Sequence, residues 1–265
     1  MKTCRIIIAL SILSTLGCMK INIAASGQRM DNPQHLNFEN DIAITTWGAI
    51  TINKVEFFPS SFQVKFADKN LYIDPVEIAT NEKADYIFIT HSHPDHLSLS
   101  DIRRILKRET KLVCPKSVGK KVKELDCQIM TVKPGEHMDL IDMQCDAVPA
   151  YNTKPVFLWL KAHPKSKEYI GYILTMGDVR LYHAGDTDNL PELSRIRDID
   201  IAFIPIGGDN LTMNIDEAAQ LANAIKPKTV IPMHFEPRKS KDLQQFRNLL
   251  SDSIEVKNMN SNSGN

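Results

Sequence analysis

Cysteine is sparse and poorly placed for crosslinking. Five occur, at positions 4, 18, 114, 127 and 145, too irregular for a disulfide framework, and no CxxC pair offers a thiolate zinc site. Charge of one sign is lacking too: 32 Lys+Arg balance 32 Asp+Glu, so no basic excess prepares a surface for nucleic acid, and no nucleic-acid partner is expected. No apolar run reaches the ~20 residues that a bilayer span needs, and no internal repeat appears at the 20–50-residue periods of solenoids. Disulfide scaffolds, multi-pass membrane proteins and repeat arrays are thereby excluded. What is present is 265 residues, 43% hydrophobic and 24% charged, enough to bury a core without crosslinks.

The start of the chain reads as a targeting segment. Met1–Arg5 is short and basic, and Ile6–Gly17 is a mostly apolar run of the length of a signal-peptide core. It ends in Thr15-Leu16-Gly17-Cys18, which resembles a bacterial lipobox with Thr15 where Leu is preferred, so Cys18 is a candidate for acylation. Cleavage after Ala25 is the other reading, and an uncleaved N-terminal helix a third. The expectation is a signal segment over 1–25 and a protein of the cell envelope or periplasm. Its only membrane contact would be a lipid on Cys18.

From residue 38 to 257 the pattern is one domain of alternating strands and helices. A hairpin is expected from Ile42–Trp47 and Ala49–Ile52 around Gly48, then strands near Phe62–Phe66 and Asn70–Ile73. Tyr86–Ile89 is a continuous apolar run, suited to a strand buried on both faces. Leu99, Ile102, Ile105 and Leu106 form a helical stripe opened by Ser98. Further strands are expected at Lys111–Cys114, Gln128–Val132, Met143–Ala150, Tyr169–Thr175, Val179–His183, Ile201–Pro205, Thr229–Pro232 and Ser253–Val256. Helices are expected near Ser117–Lys123, after an Asn214/Glu217 cap, and over Lys239–Leu250. Asn258–Asn265, rich in Asn and Ser, reads as a disordered tail. Trp47 and Trp159 read as core or pocket wall.

The chemistry gathers at strand ends. His91-Ser92-His93-Pro94-Asp95-His96 follows the buried strand directly, and packing does not explain three histidines and an aspartate in six residues. In a tight turn His91 and His93 face one way, Asp95 and His96 another, making two adjacent sets of nitrogen and oxygen ligands suited to zinc, with iron or manganese as alternatives.

This HxHxDH pattern resembles the hallmark of the metallo-β-lactamase superfamily. The resemblance implies a four-layer αββα sandwich, an α/β fold in the broad sense. It also implies Asp74, in Leu71–Pro75, as the carboxylate that braces the metal loop. His183-Ala184-Gly185-Asp186-Thr187 matches the segment whose aspartate bridges two metals, and Ile231–His234 the strand-end histidine of the second site. The implied ligand set is His91, His93, Asp95, His96, Asp186 and His234, with Asp95 and Asp186 as the catalytic carboxylates. The chain departs from the pattern where a third histidine is expected for the first metal. It has Val148-Pro149-Ala150-Tyr151-Asn152 there. Asn152 offers a weak oxygen ligand, His163 another nitrogen, and Tyr151, Asn152 and His163 are otherwise substrate contacts. His163, between Lys161 and Lys165, reads as part of a mobile rim loop that touches substrate. Tyr151-Asn152, Lys154, His163-Pro164-Lys165 and Gly207–Met213 resemble a UlaG-like branch, similar to ascorbate-6-phosphate lactonases and, more distantly, to N-acyl-phosphatidylethanolamine phospholipase D.

The implied activity is a metal-dependent hydrolase with one or two ions, zinc first. Its metal-bound hydroxide would act on a lactone or other ester, an amide or a phosphodiester of a small molecule. The alternative is a catalytically weakened metal-binding protein on the same fold. A redox role like that of the diiron flavoproteins is disfavoured, because those have Glu where His93 stands and carry a flavin domain besides.

Overall fold

Short apolar runs joined by tight turns leave little freedom except to stack sheet on sheet, and the order of the elements follows that rule. The structure, a computed structural model, describes residues 22–25, 33–238 and 240–260. Strands β1 (Ile23–Ala25), β2 (Gln34–Asn37), β3 (Ile42–Thr46), β4 (Ile50–Ile52), β5 (Val55–Phe57), β6 (Phe62–Phe66), β7 (Lys69–Ile73) and β8 (Tyr86–Phe88) precede helix α1 (Leu99–Ile105). Next come β9 (Lys111–Cys114), α2 (Lys116–Val122), β10 (Gln128–Thr131), β11 (His137–Asp139) and β12 (Gln144–Pro149). The chain finishes with β13 (Ile170–Met176), β14 (Val179–His183), β15 (Ile201–Pro205), α3 (Ile215–Ile225), β16 (Thr229–Met233), α4 (Ser240–Leu249) and β17 (Glu255–Val256).

One seven-stranded sheet runs β10-β9-β8-β7-β6-β3-β2 and a second runs β11-β12-β13-β14-β15-β16-β17; β1, β4 and β5 form a small third sheet. Ile44, Phe62, Val64, Phe88, Tyr172, Leu174, Leu181 and Phe203 fill the space between the two large sheets, each fully buried. Ile102 and Ile105 of α1 and Val118 and Val122 of α2 cover the outer face of the first sheet over Tyr72, Ile87 and Leu112. Helices α3 and α4 cover the second sheet, with Ala218, Leu221, Ala222 and Phe246 buried. The result is the αββα sandwich, held by apolar burial worth about 25 cal/mol per Å².

Local signals account for the helix starts. Ser98 Oγ accepts from the Asp101 amide to open α1, and Asn214 and Glu217 form a reciprocal capping box on α3.

The expected hairpin over 42–52 does not form. β3 pairs with β2 and β6, while β4 pairs with β1 and β5. At the parting Trp47 is buried and stacks on Tyr72 at 6.4 Å between centroids, and Ile50 beyond it packs with Phe57 and Val76 in a separate cluster. The first sheet also takes in Gln34–Asn37, ahead of the expected domain start, and Ile23–Ala25, inside the expected signal segment, pair with β4 as part of the fold, at odds with cleavage after Ala25. Of the expected disordered tail, Asn258–Asn260 are described and ordered against the core, because Met259 is buried in the main cluster; 261–265 lie outside the described residues. So do the whole run to Gly17 and the Cys18 position.

What places the site is strand direction. β7, β8 and β9 run parallel in one sheet, and β14, β15 and β16 in the other. The carboxyl ends of β7, β8, β14 and β16 deliver Asp74, His91, Asp186 and His234 to one edge. Strand ends of this kind are where ligands bind in parallel sheets.

Candidate metal centre

Two groups of side chains meet at that edge. His91, His93 and His163 form one, and Asp95, His96, Asp186 and His234 the other; within each group the potential ligand atoms lie within 4.8 Å of one another. The groups touch through Asp186. Its Oδ2 lies 3.0 Å from His234 Nε2, 3.3 Å from His96 Nε2, 3.4 Å from His163 Nε2 and 3.8 Å from His91 Nε2. Gly185, at φ 63°, turns the chain so that Asp186 enters this space.

Hydrogen bonds behind the histidines fix which ring nitrogen faces inward. Asp74, fully buried, accepts from the Thr90 amide (2.8 Å), from Thr90 Oγ1 (2.6 Å) and from His96 Nδ1 (2.7 Å). Since Thr90 spends its proton on Asp74, its lone pair accepts from His91 Nδ1 at 3.0 Å. His91 and His96 therefore both present an unprotonated Nε2 when neutral. A third relay acts on His163. Asn152 donates both amide protons, to Asp188 Oδ1 (2.9 Å) and the Leu211 carbonyl (2.8 Å). Its Oδ1 accepts from the His163 amide (3.0 Å) and from His163 Nδ1 (2.9 Å). His163 Nε2 then faces His93 Nδ1 at 3.1 Å, and His91 Nε2 is likewise 3.1 Å from His93 Nδ1.

His163 and Asn152 thus differ from what their positions in the sequence suggest. His163 is 1% exposed, pinned from behind, and faces His91 and His93, so it is no part of a mobile rim. Asn152 turns all its polar atoms to His163, Asp188 and Leu211 and offers nothing to a metal. Tyr151 belongs to neither group: its hydroxyl donates to Glu192 at 2.9 Å. Trp159 is no pocket wall either, being 78% exposed.

Burial and neighbouring charge polarise the site. Burial pushes His163 down to about 3 and His91 well below the usual histidine range, so both are neutral. Burial opposes the charge on His234 as well, yet Asp186 beside it overrides and holds it up at about 9. Burial likewise disfavours ionised Asp95, and His96 and His234 outweigh it, bringing the carboxyl to about 2. Asp186 is held well below the carboxylate range by the same two rings, against its burial. Two carboxylates among five imidazoles make a donor set for a cation. Two buried atoms in it lack any hydrogen-bond partner, His96 Nε2 and Asp186 Oδ1. Orphaned polar atoms in a native core call for an occupant, and imidazole with carboxylate fits zinc, iron or manganese.

Some contributors escaped the sequence reading. Thr90 relays Asp74 to His91. Asp188 accepts from the Thr153 amide (2.6 Å) and Thr153 Oγ1 (2.7 Å) besides Asn152; its place two residues after Asp186 was the available signal. Gly207 clears the way for His234, because a Cβ there would sit 2.2 Å from the His234 carbonyl oxygen. His183, by contrast, is a bolt between the sheets, with Nε2 3.0 Å from the Ser60 carbonyl and Nδ1 accepting from the Gly185 amide at 3.2 Å. A small, shallow cleft opens beside His234, lined by Phe57, Gly207, Gly208, Leu211 and Phe235 together with the acidic Asp209, Glu236 and Asp242.

Comparison with known proteins agrees with this geometry. The model of the beta-lactamase superfamily domain matches residues 52–234. A UPF0173 metal-dependent hydrolase of Pyrococcus horikoshii is 30% identical over 223 residues, covering 77% of this chain and 94% of that one. A second, from Nanoarchaeum equitans, is 31% identical over 185 residues, covering 69% and 83%. Among solved structures, a protein of Parabacteroides distasonis described as a metal-dependent hydrolase superposes with a TM-score of 0.69 at 30% identity, covering 86% of this chain and 98% of that one. A metallo hydrolase of Ignicoccus hospitalis, at 24% identity, shares the fold with a TM-score of 0.61, covering 77% and 93%. With the site and the match spanning the same residues, the chain belongs to the metallo-β-lactamase superfamily of metal-dependent hydrolases.

Proposed function

We propose that this protein hydrolyses an ester, lactone, amide or phosphodiester bond of a small molecule, using one or two zinc ions. His91, His93 and His163 would hold one ion, Asp95, His96 and His234 the other, with Asp186 between them. The observation that carries this reading is the convergence of seven potential ligands in two groups that meet at Asp186. A bound ion supplies Lewis acidity toward the substrate oxygen and acidifies a coordinated water. The chain's own groups do the rest. Asp95, ionised and the more exposed of the two carboxylates at 20% against 3%, accepts a hydrogen bond from the attacking water and turns its lone pair to the substrate. Phe57 and Phe235 border the shallow cleft beside His234 through which a substrate would approach. The neutral rings of His91 and His163, held from behind by Thr90 and Asn152, cost no reorganisation when charge develops. His163 beside His91 and His93 speaks against a catalytically weakened binding protein, for which a missing third histidine was the support.

The test is metal analysis of purified protein with a panel of aryl esters, lactones, amides and phosphodiesters. Between one and two equivalents of zinc are expected, and chelation should abolish turnover that zinc then restores. Undiminished turnover in chelated protein, or no turnover of any bond class when metal-loaded, would overturn the reading. We further propose residence in the cell envelope: Cys18→Ser should release the protein from membranes, and an unshortened cytoplasmic product would refute that.

A further inference from the structure

Among the described residues, few large apolar side chains are strongly exposed, and three of them are consecutive: Phe157 at 55%, Leu158 at 64% and Trp159 at 78%. They are not frayed chain. The Val156 amide donates to the Leu160 carbonyl and the Leu160 amide to the Phe157 carbonyl, each at 2.8 Å, and Leu158 takes a left-handed conformation at φ 50°. A tight turn thus holds three apolar side chains out in water, which soluble surfaces seldom do without a partner.

The charges around the tip narrow the kind of partner. Between Tyr151 and Glu168 the chain carries Lys154, Lys161, Lys165 and Lys167 against a single acid, Glu168. Lys154 pairs with Glu217. No carboxylate of the described residues forms an ion pair with Lys161, Lys165 or Lys167, and Lys165 Nζ lies over the Tyr151 ring at 4.8 Å. An apolar tip with an exposed tryptophan, followed in sequence by three lysines that no described carboxylate pairs, suits the interface of a negatively charged bilayer. Tryptophan favours the headgroup level, and lysines near an anionic leaflet each strengthen binding several-fold.

We propose that residues 156–160 form a membrane-contact tip that enters the interface of an anionic phospholipid bilayer, with Lys161, Lys165 and Lys167 engaging the headgroups. This contact belongs to the fold itself and is separate from any attachment at Cys18. It stands independently of the hydrolytic chemistry, although it would bring the metal centre close to the bilayer, because Asn152 and His163 flank the same loop.

The chain has two tryptophans, and they differ: Trp47 is 3% exposed and Trp159 78%. Emission from Trp159 therefore reports the tip even if the N-terminal segment also binds vesicles. Full-length protein is titrated with vesicles of phosphatidylcholine alone and with about one third phosphatidylglycerol, the latter also in a brominated-acyl form. The expected result is a blue shift and bromine quenching with anionic vesicles only, absent in Trp159→Phe. Changing Lys161, Lys165 and Lys167 together to Gln should weaken the anionic-vesicle response on the order of 100-fold. Unshifted emission with anionic vesicles would overturn the proposal, as would an equal response to neutral vesicles or an unchanged response in the triple variant. Emission that shifts with protein concentration and without lipid would overturn it in favour of a second copy covering the tip.

Discussion

Asp74→Asn changes one atom directly behind the ligand ring of His96, and its effect can be worked through the hydrogen bonds. Asp74 Oδ2 accepts from Thr90 Oγ1 at 2.6 Å and His96 Nδ1 at 2.7 Å, while Oδ1 accepts from the Thr90 amide. If the amide nitrogen replaces Oδ2, His96 must accept at Nδ1 and so carries its proton on Nε2, facing the metal site. Thr90 must then accept from the new amide and gives its proton to His91 Nδ1, which moves the His91 proton to Nε2 as well. Turned the other way, the amide opposes the Thr90 N–H, donor against donor, with no water to relieve it. Two charge-assisted hydrogen bonds are lost, at about 1.5–3 kcal/mol each. Partial re-pairing leaves a net destabilisation of about 3 kcal/mol, a drop in Tm of about 6–12 °C for a chain of this size. Because both Nε2 lone pairs are lost, zinc affinity should fall about 10–100-fold, and at both sites although only His96 touches Asp74. Thermal melts of zinc-free and zinc-loaded protein, with competition against a chelator of known affinity, measure these effects. Zinc affinity within threefold of wild type together with an unchanged Tm would refute the relay.

Three other perturbations probe the same architecture. His163→Ala should lower zinc stoichiometry by about one equivalent; an unchanged count with only a raised KM would return His163 to the role of substrate contact. Gly207→Ala drives a Cβ to 2.2 Å from the His234 carbonyl oxygen and should cost about 1–3 kcal/mol and weaken the second site; a wild-type denaturation midpoint would count against that close approach. Zinc-free protein should lose stability as pH falls from 6.5 toward 3. His163, held at about 3 when folded, takes a proton in the unfolded chain first, worth up to about 1.4 kcal/mol per pH unit. His234, raised to about 9, works the opposite way, stabilising below 6.5 and ceasing to do so as pH rises through 9. Urea midpoints at pH 6.5, 5.5 and 4.5, where the His234 contribution is nearly constant, that do not decline would contradict the buried neutral ring.

Elements with a strong local signature were legible from sequence: the apolar run at β8, the capped starts of α1 and α3, and the strands β13 and β14. The HxHxDH loop, Asp74, Asp186 and His234 were legible as motifs, and the structure brings them to one edge. What sequence left hidden depends on contacts between distant positions. Ile42–Ile52 looks like one hairpin because each half alternates well, yet the halves join different sheets, and Trp47 between them packs on Tyr72. His163 looks like a rim residue because its neighbours are Lys161, Pro164 and Lys165. It is buried because Asn152, eleven residues earlier, bonds its backbone and ring together. Asn258–Asn260 have a tail's composition, yet Met259 is buried in the main core cluster and Asn260 is buried beside it.

The closure at the base of the 152–163 segment separates two properties that are usually tied. The Asn152 amide donates to the His163 carbonyl at 2.8 Å, and the His163 amide returns to Asn152 Oδ1 at 3.0 Å, so the excursion begins and ends at one pinched point. Asp188 clamps the first residues beyond it through Thr153. Residues 155–161 can therefore be lengthened, shortened or exchanged without disturbing the ring nitrogen at the base, and each doubling of the excursion adds only about 0.6 kcal/mol of closure entropy. One unchanging hydrolytic centre can in this way carry interchangeable tips, and sequence divergence here should concentrate between Thr153 and Ala162, leaving Asn152 and His163 alone.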